Sequence, residues 1–198
     1  MADRIVLNTI SYHGHGAIEN IVPELTARGY KKAFVCSDPD LIKFGVTGKI
    51  TALLDAASFP YAVYSEIKPN PTIQNVQDGV AAFKAAEADC IVTIGGGSSM
   101  DCAKAAGARI VKPHQSIQQM KGLLKVHKRL PLLIAIPTTA GTGSETTLAA
   151  VITDSEQHYK YPINDFVLIP RYAVLDYHET VGLPANITAT TGMDALSH

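Results

Sequence analysis

Cys90-Ile91-Val92-Thr93-Ile94-Gly95-Gly96-Gly97-Ser98-Ser99-Met100-Asp101 is the stretch whose reading decides the fold of this chain. A short apolar, β-branched run meets three glycines, and helix formers follow over 102–111. The pattern is that of a buried strand turning directly into a helix. Without Cβ atoms the turn admits close approach to the backbone. The N–H groups that open the helix point into that space with no partners of their own, which suits a phosphate or pyrophosphate. The spacing is neither G-x-G-x-x-G nor G-x-x-x-x-G-K-[ST], so the standard dinucleotide and P-loop fingerprints both fail. A local account is also open, with Ser98 as N-cap and Asp101 three residues on, an S-x-x-D capping box. The two are compatible, and a turn at the carboxyl end of a strand in an α/β pattern favours ligand binding.

Outward from this turn, strand-like and helical segments alternate. On the amino-terminal side, residues 5–10, 32–36 and 61–64 read as strands. Helices are predicted over 17–28 and 41–57, and from an N-cap at Thr72 to near Ala86. On the carboxyl side, a polar stretch with short helical pieces at 116–125 precedes a strand at 132–136. A hairpin of 149–153 with 159–161 follows, then short strands at 167–169 and 173–175, and helix from Ala185 onward. Such alternation predicts a doubly wound, mostly parallel α/β sheet of Rossmann-like type over 1–184. Residues 185–198 read as the first helix of a second, all-helical domain.

The 198 residues are 46% hydrophobic and 18% charged, a globular composition with ample core material. A net charge of −1 gives no bulk attraction to nucleic acid or to an anionic membrane. The longest apolar run, 130–136, is far too short to span a bilayer, and the first residues lack a signal-peptide layout. Cys36, Cys90 and Cys102 are odd in number and lack metal spacing, which predicts reduced core thiols in a cytoplasmic protein.

A second loop of interest is Pro137-Thr138-Thr139-Ala140-Gly141-Thr142-Gly143-Ser144-Glu145-Thr146-Thr147. Five threonines and a serine within ten residues give the density of donors and acceptors that a polar ligand site needs. Asp38 lies two residues beyond the strand at 32–36. A carboxylate there accepts hydrogen bonds from ribose hydroxyls in dinucleotide domains and repels a 2′-phosphate. On residue type alone, Asp38 with Pro39 reads as the start of a turn. Asp194 and His198 stand at i and i+4, on one helix face. The pair supplies two ligands to Fe²⁺, Zn²⁺ or Mn²⁺. It equally fits a surface ion pair, and two ligands fall short of a tight metal site. His13, His15, His114, His127, His158 and His178 show no triad or metal spacing and read as loop residues. Lys104, Lys160 and Glu145, taken singly, read as solvated charges.

These motifs occur in an order and spacing that resemble the amino-terminal half of the iron-containing (group III) alcohol dehydrogenases. The residues that carry the resemblance are Gly14-His15-Gly16-Ala17, Lys68-Pro69-Asn70-Pro71-Thr72, the run from Gly95 to Lys104, the run from Ile136 to Glu145, and Thr191-Gly192-Met193-Asp194-Ala195-Leu196-Ser197-His198. Within that family it resembles the branch acting on lactaldehyde and propanediols. The resemblance implies a dehydroquinate synthase-like fold in which Gly96, Gly97 and Ser98, with Gly95 in the same turn, hold the pyrophosphate of NAD(H). Asp38 would contact the adenosine ribose. Thr138, Thr139 and Thr142 would surround the diphosphate, ribose and nicotinamide side, with Val151 and Lys160 completing that wall. Asp194 and His198 would be the first two ligands of a catalytic metal, Fe²⁺ ahead of Zn²⁺, and a helical domain would supply two histidines more.

Two departures stand out from that family pattern. Ala149 and Ala150 occupy positions where relatives carry a larger polar and an aromatic residue, implying a wider pocket, and Cys102 replaces a threonine. The expectation is the NAD(H)-binding part of a dehydrogenase of short alcohols, diols and their aldehydes. It is expected to form a homodimer through the amino-terminal segment, with no nucleic-acid or membrane partner, and to be inactive as 198 residues alone. The competing readings are a glycerol dehydrogenase-like or dehydroquinate synthase-like enzyme, a kinase-like protein holding ATP, and a non-catalytic nucleotide-binding or assembly module.

Overall fold

The computed structural model describes residues 6–197. The strands are β1 (Ile10–His13), β2 (Ala33–Cys36), β3 (Tyr61–Tyr64), β4 (Cys90–Gly95), β5 (Gly122–Leu123), β6 (Leu132–Pro137), β7 (Ala149–Asp154), β8 (Tyr159–Asn164) and β9 (Tyr172–Leu175). The α-helices are α1 (Ile21–Ala27), α2 (Pro39–Lys43), α3 (Val46–Ala56), α4 (Ile73–Ala85), α5 (Gly97–Val111), α6 (His178–Val181) and α7 (Ala185–Ser197). Six strands form one sheet in the order β1-β9-β6-β4-β2-β3, and every pairing in it is parallel.

Every residue of β2, β4 and β6 is buried, as a parallel sheet covered on both faces requires. Alternate side chains then go to opposite layers. Phe34, Cys36, Ile91 and Leu133 pack with Val76, Val80 and Phe83 of α4 and with the small residues of α5. Ala33, Val35, Val92, Ile94 and Ile134 pack instead with Ile21 and Leu25 of α1 and Ile50 and Leu54 of α3. The chain passes from β2 to the edge strand β3, returns to β4 on the other side of β2, and moves outward through β6 and β9. The turns after β2 and β4 therefore diverge. The crevice between them is the topological switch point, where open α/β sheets take ligands.

A smaller sheet, β5-β8-β7, is built on the expected hairpin, with β7 and β8 antiparallel. It is tied to the start of α4 by the Thr153 N–H, which donates to the Pro71 carbonyl at 2.8 Å. Thr72 caps α4 as predicted, with Asn75 completing the capping box. The three cysteines are free and buried. Burial raises their thiols, that of Cys102 to about 12. No helix among the described residues is long and apolar enough to cross a membrane.

Four expectations are corrected. The first strand is Ile10–His13 rather than 5–10, of which Ile5 lies outside the described residues. The Asn8 side chain instead donates to the Glu145 and Pro170 carbonyls at 2.7 Å each, and ladder pairing begins at Ile10 opposite Tyr172. The helix expected over 41–57 is two helices, α2 and α3, because Asp38 and Pro39 start the first one early and Gly45, at φ +74°, caps the second. Residues 167–169 do not form a strand: Phe166–Leu168 is a 3-10 turn, closed where Leu168 N–H donates to the Asp165 carbonyl. The 116–125 stretch holds a single 3-10 turn and then β5. The helix from Ala185 forms as expected, with Thr191 and Asp194 half-buried and Ile187, Met193 and Leu196 exposed.

Candidate functional site

The triple glycine forms the turn between β4 and α5. A Cβ on Gly95 would lie 2.5 Å from the Ser99 hydroxyl oxygen, and one on Gly97 would lie 2.9 Å from Thr142 Cγ2. Neither position takes a side chain without moving its neighbour. Gly96 is the N-cap of α5 and no side chain caps the helix, so the opening N–H groups are left for a ligand or water. The predicted Ser98–Asp101 capping box is absent. Ser98 Oγ accepts from the Asn70 N–H at 3.2 Å. Asp101 accepts from Ser144 Oγ at 2.8 Å and from the Val151 N–H at 3.0 Å. Both groups face partners that are distant in sequence, so the helix start is open rather than self-capped.

The hydroxyl-rich loop covers this turn. The Thr138 N–H donates to the Gly95 carbonyl at 3.0 Å, extending the β4–β6 pairing past the end of the sheet. Thr139 lies beside Gly96, and Thr142 beside Gly97. A cleft of about 150 Å³ opens here, lined by Gly97, Ser98, Thr142, Val151, Lys160 and Asn70 among others. The Lys160 ammonium donates to Asn70 Oδ1 at 2.8 Å across its rim. Thr138 lines a second cleft of about 380 Å³, whose walls include Leu41, Phe44, Val46, Leu183 and Pro184. Asp38 stands at the switch point between β2 and β4. It is the N-cap of α2, as the turn reading predicted, and accepts from the Leu41 N–H at 2.9 Å. Its other oxygen accepts from Ser99 Oγ at 3.4 Å, which links it to the glycine turn.

Sequence reasoning missed the centre of this region. Lys104 is not a solvated charge but is completely buried on α5. Its ammonium donates to Ser144 Oγ at 2.9 Å, to the Thr147 carbonyl at 3.0 Å and hydroxyl at 3.1 Å, and to the Ala149 carbonyl at 2.9 Å. The Ser144 hydroxyl in turn donates a hydrogen bond to Asp101. Desolvation lowers Lys104 to about 8, against the raising fields of Asp101 and Glu145. Desolvation likewise raises Asp101, opposed by Lys104. The one sequence signal was the i, i+3 spacing of Asp101 and Lys104, which puts both on one helix face.

The loop also touches α7. A Cβ on Gly141 would lie 2.9 Å from the Thr191 carbonyl oxygen and 3.1 Å from Asp194 Oδ2. The threonine loop and Asp194, two separate sequence constellations, are thus neighbours. His198 lies outside the described residues. Among the described residues no group of three or more His, Cys, Asp or Glu side chains is arranged to hold a metal. Asp194 by itself is short of a metal site. Elsewhere, the His15 and His178 rings pack 4.3 Å apart, joining the loop after β1 to the start of α6.

A parallel sheet with an uncapped glycine turn at its switch point defines the class: a Rossmann-like α/β domain. The chain belongs to the iron-containing alcohol dehydrogenase family, whose sequence pattern matches residues 8–177. It is 39% identical to the lactaldehyde reductase of Escherichia coli (strain K12), over all of this chain and 52% of that protein. It superposes on a crystal structure of 1,3-propanediol oxidoreductase with a TM-score of 0.94 and 35% identity, covering 100% of this chain and 52% of the other. It is also similar to the sulfoacetaldehyde reductase of Bifidobacterium kashiwanohense, solved in complex with NAD⁺ (TM-score 0.87, 30% identity, 100% and 52% coverage). The chain spans about half the length of these relatives.

Proposed function

We propose that this chain is the NAD(H)-binding part of an oxidoreductase acting on short alcohols, diols and their aldehydes. The observation that carries the reading is the open α5 start at Gly96 and Gly97, set at the switch point and walled by Thr138, Thr139 and Thr142. The N–H groups of Gly97 and Ser98 would hold the pyrophosphate, and the threonine hydroxyls would bond its remaining oxygens and the neighbouring ribose. The largely apolar cleft beside Thr138 suits a purine, and Asp38, which caps the helix that carries Leu41 of its wall, would meet the ribose hydroxyls. The opposite cleft, with Val151 and Lys160 in its wall, suits the nicotinamide half. NAD(H) would supply or accept the hydride, and this chain's residues would orient it and keep one face dry.

In the same proposal, residues 1–184 form the cofactor domain and 185–198 begin a helical one. The exposed apolar side chains on α7 support that division. Asp194 and His198 are the proposed first two metal ligands, iron ahead of zinc, where a metal would polarise a carbonyl or stabilise an alkoxide. Of that pair, Asp194 is among the described residues. A cytoplasmic homodimer formed through the amino-terminal segment completes the expectation, and sedimentation checks the dimer.

An ATP-holding reading fares worse. Both Asp101 oxygens are occupied by Ser144 and Val151, and Lys104 offsets its charge, which leaves no Mg²⁺-binding carboxylate pair at the glycine turn. Calorimetric titration of NADH and ATP tests the choice. NADH is expected to bind at least about tenfold tighter, a difference of about 1.4 kcal/mol. Tighter ATP binding would overturn the reading.

A further inference from the structure

Lys104, Ser144 and Asp101 form a buried chain behind the cofactor cleft, and Lys104 is sealed from that cleft with its donors spent on the 144–149 segment. Asp101, by contrast, lies in the cleft wall beside Gly97 and Ser98. A carboxylate in the wall of an anion cradle repels what the cradle is built to hold. We propose that Lys104 is a positioning residue: it touches no ligand, clamps the 144–149 segment onto α5, and supplies the counter-charge that lets Asp101 orient the Val151 N–H without repelling a pyrophosphate.

The pair makes a local ledger of charge. With Lys104 protonated and Asp101 ionised, the chain of bonds is neutral. Loss of the Lys104 proton leaves it at minus one, removes one of the three donors from the clamp, and restores the repulsion. The charged groups whose fields reach Lys104 are Asp101 on its own helix and Glu145 in the loop. Both are anionic, so neither takes over its role. The lowered value of about 8 puts this loss within an accessible range.

The inference rests on the proposed NAD(H) site, and the test separates the two. NADH affinity is measured by calorimetry from about pH 6.5 to 9.5 for the wild-type chain, Lys104→Met and Ser144→Ala, with amide hydrogen exchange followed over residues 144–151. Wild-type affinity should fall on the order of tenfold as pH rises through about 8, as expected for one unit of charge near the phosphates. Lys104→Met should be weaker by a similar factor at pH 7, show no such step, and exchange faster at 144–151. Adenosine, which lacks phosphate, should show no step with any of them. A Lys104→Met chain that keeps the step, or that exchanges like wild type over 144–151, overturns the proposal. Should Lys104→Met not fold, Ser144→Ala decides: wild-type exchange and affinity overturn the clamp, and faster exchange supports it. A wild-type chain that binds no NADH refutes the cofactor reading, while the exchange comparison still decides the role of Lys104.

Discussion

At Gly97 a single missing Cβ sets the shape of the cradle, because Thr142 Cγ2 occupies the space beside it. Gly97→Ala drives its new methyl into the Thr142 side chain, at an overpacking cost of about 1–3 kcal/mol. NADH affinity is expected to fall at least about tenfold, the equivalent of about 1.4 kcal/mol. Adding Thr142→Ser, which removes the colliding methyl, should recover part of it, and unchanged affinity in the single variant would exclude the turn as the binding surface. Lys104 bears on stability in the opposite sense to binding. Its folded-state value of about 8 lies below its ordinary 10.5, so between those values the unfolded chain holds more protons and stability rises with pH. Below about pH 8 the cost of burying the charge is fully present, on the order of 3 kcal/mol. Urea unfolding at pH 7 and 10 checks this: the wild type should gain on Lys104→Met as pH rises, and a gain at the acidic end would refute it. Beyond its i, i+3 spacing, the run Asp101-Cys102-Ala103-Lys104 gave no sign of such burial, since the partners that make it possible lie 40 to 45 residues away.

Among the elements, those governed by local chemistry were legible and those governed by distant partners were not. The Thr72 cap, the strand at Tyr61–Tyr64 and the β7–β8 hairpin each follow from neighbours in sequence. Val167 and Leu168 have strand-like side chains. Yet Asp165 accepts from the Val167 N–H while bonding the Val126 and His127 N–H groups, and it curls the backbone instead. The Ser98–Asp101 box failed for the same reason: Asn70, Ser144 and Val151 outcompete the local bond. Asp38 serves two elements at once, capping α2 and reaching Ser99 on α5. Asn caps a helix about as well as Asp, so Asp38→Asn should keep the fold and remove only the charge. The ratio of NADPH to NADH affinity should rise on the order of tenfold in that variant, because the like-charge repulsion of the 2′-phosphate is gone. Fluorescence titration with both cofactors measures it, and an unchanged ratio would remove Asp38 from the ribose site.

For the molecule as a whole, the alternation of apolar runs with helices predicted the doubly wound, mostly parallel sheet that the structure shows, whereas the strand order and hence the switch point depend on distant pairings that no local pattern carries. The 198 residues alone are expected to bind NADH without sustained alcohol-dependent reduction of NAD⁺, and treatment with a chelator should leave NADH affinity unchanged. Steady turnover by this chain, or loss of NADH binding on chelation, would contradict that division of labour.

The contact of Gly141 with Thr191 and Asp194 has a thermodynamic corollary. The loop that would order around a cofactor is the surface on which α7 rests. Any ligand that stiffens 138–147 therefore reduces the freedom of α7, and by reciprocity anything that fixes α7 raises affinity for that ligand by the same factor. One small residue would let the loop and α7 report on each other.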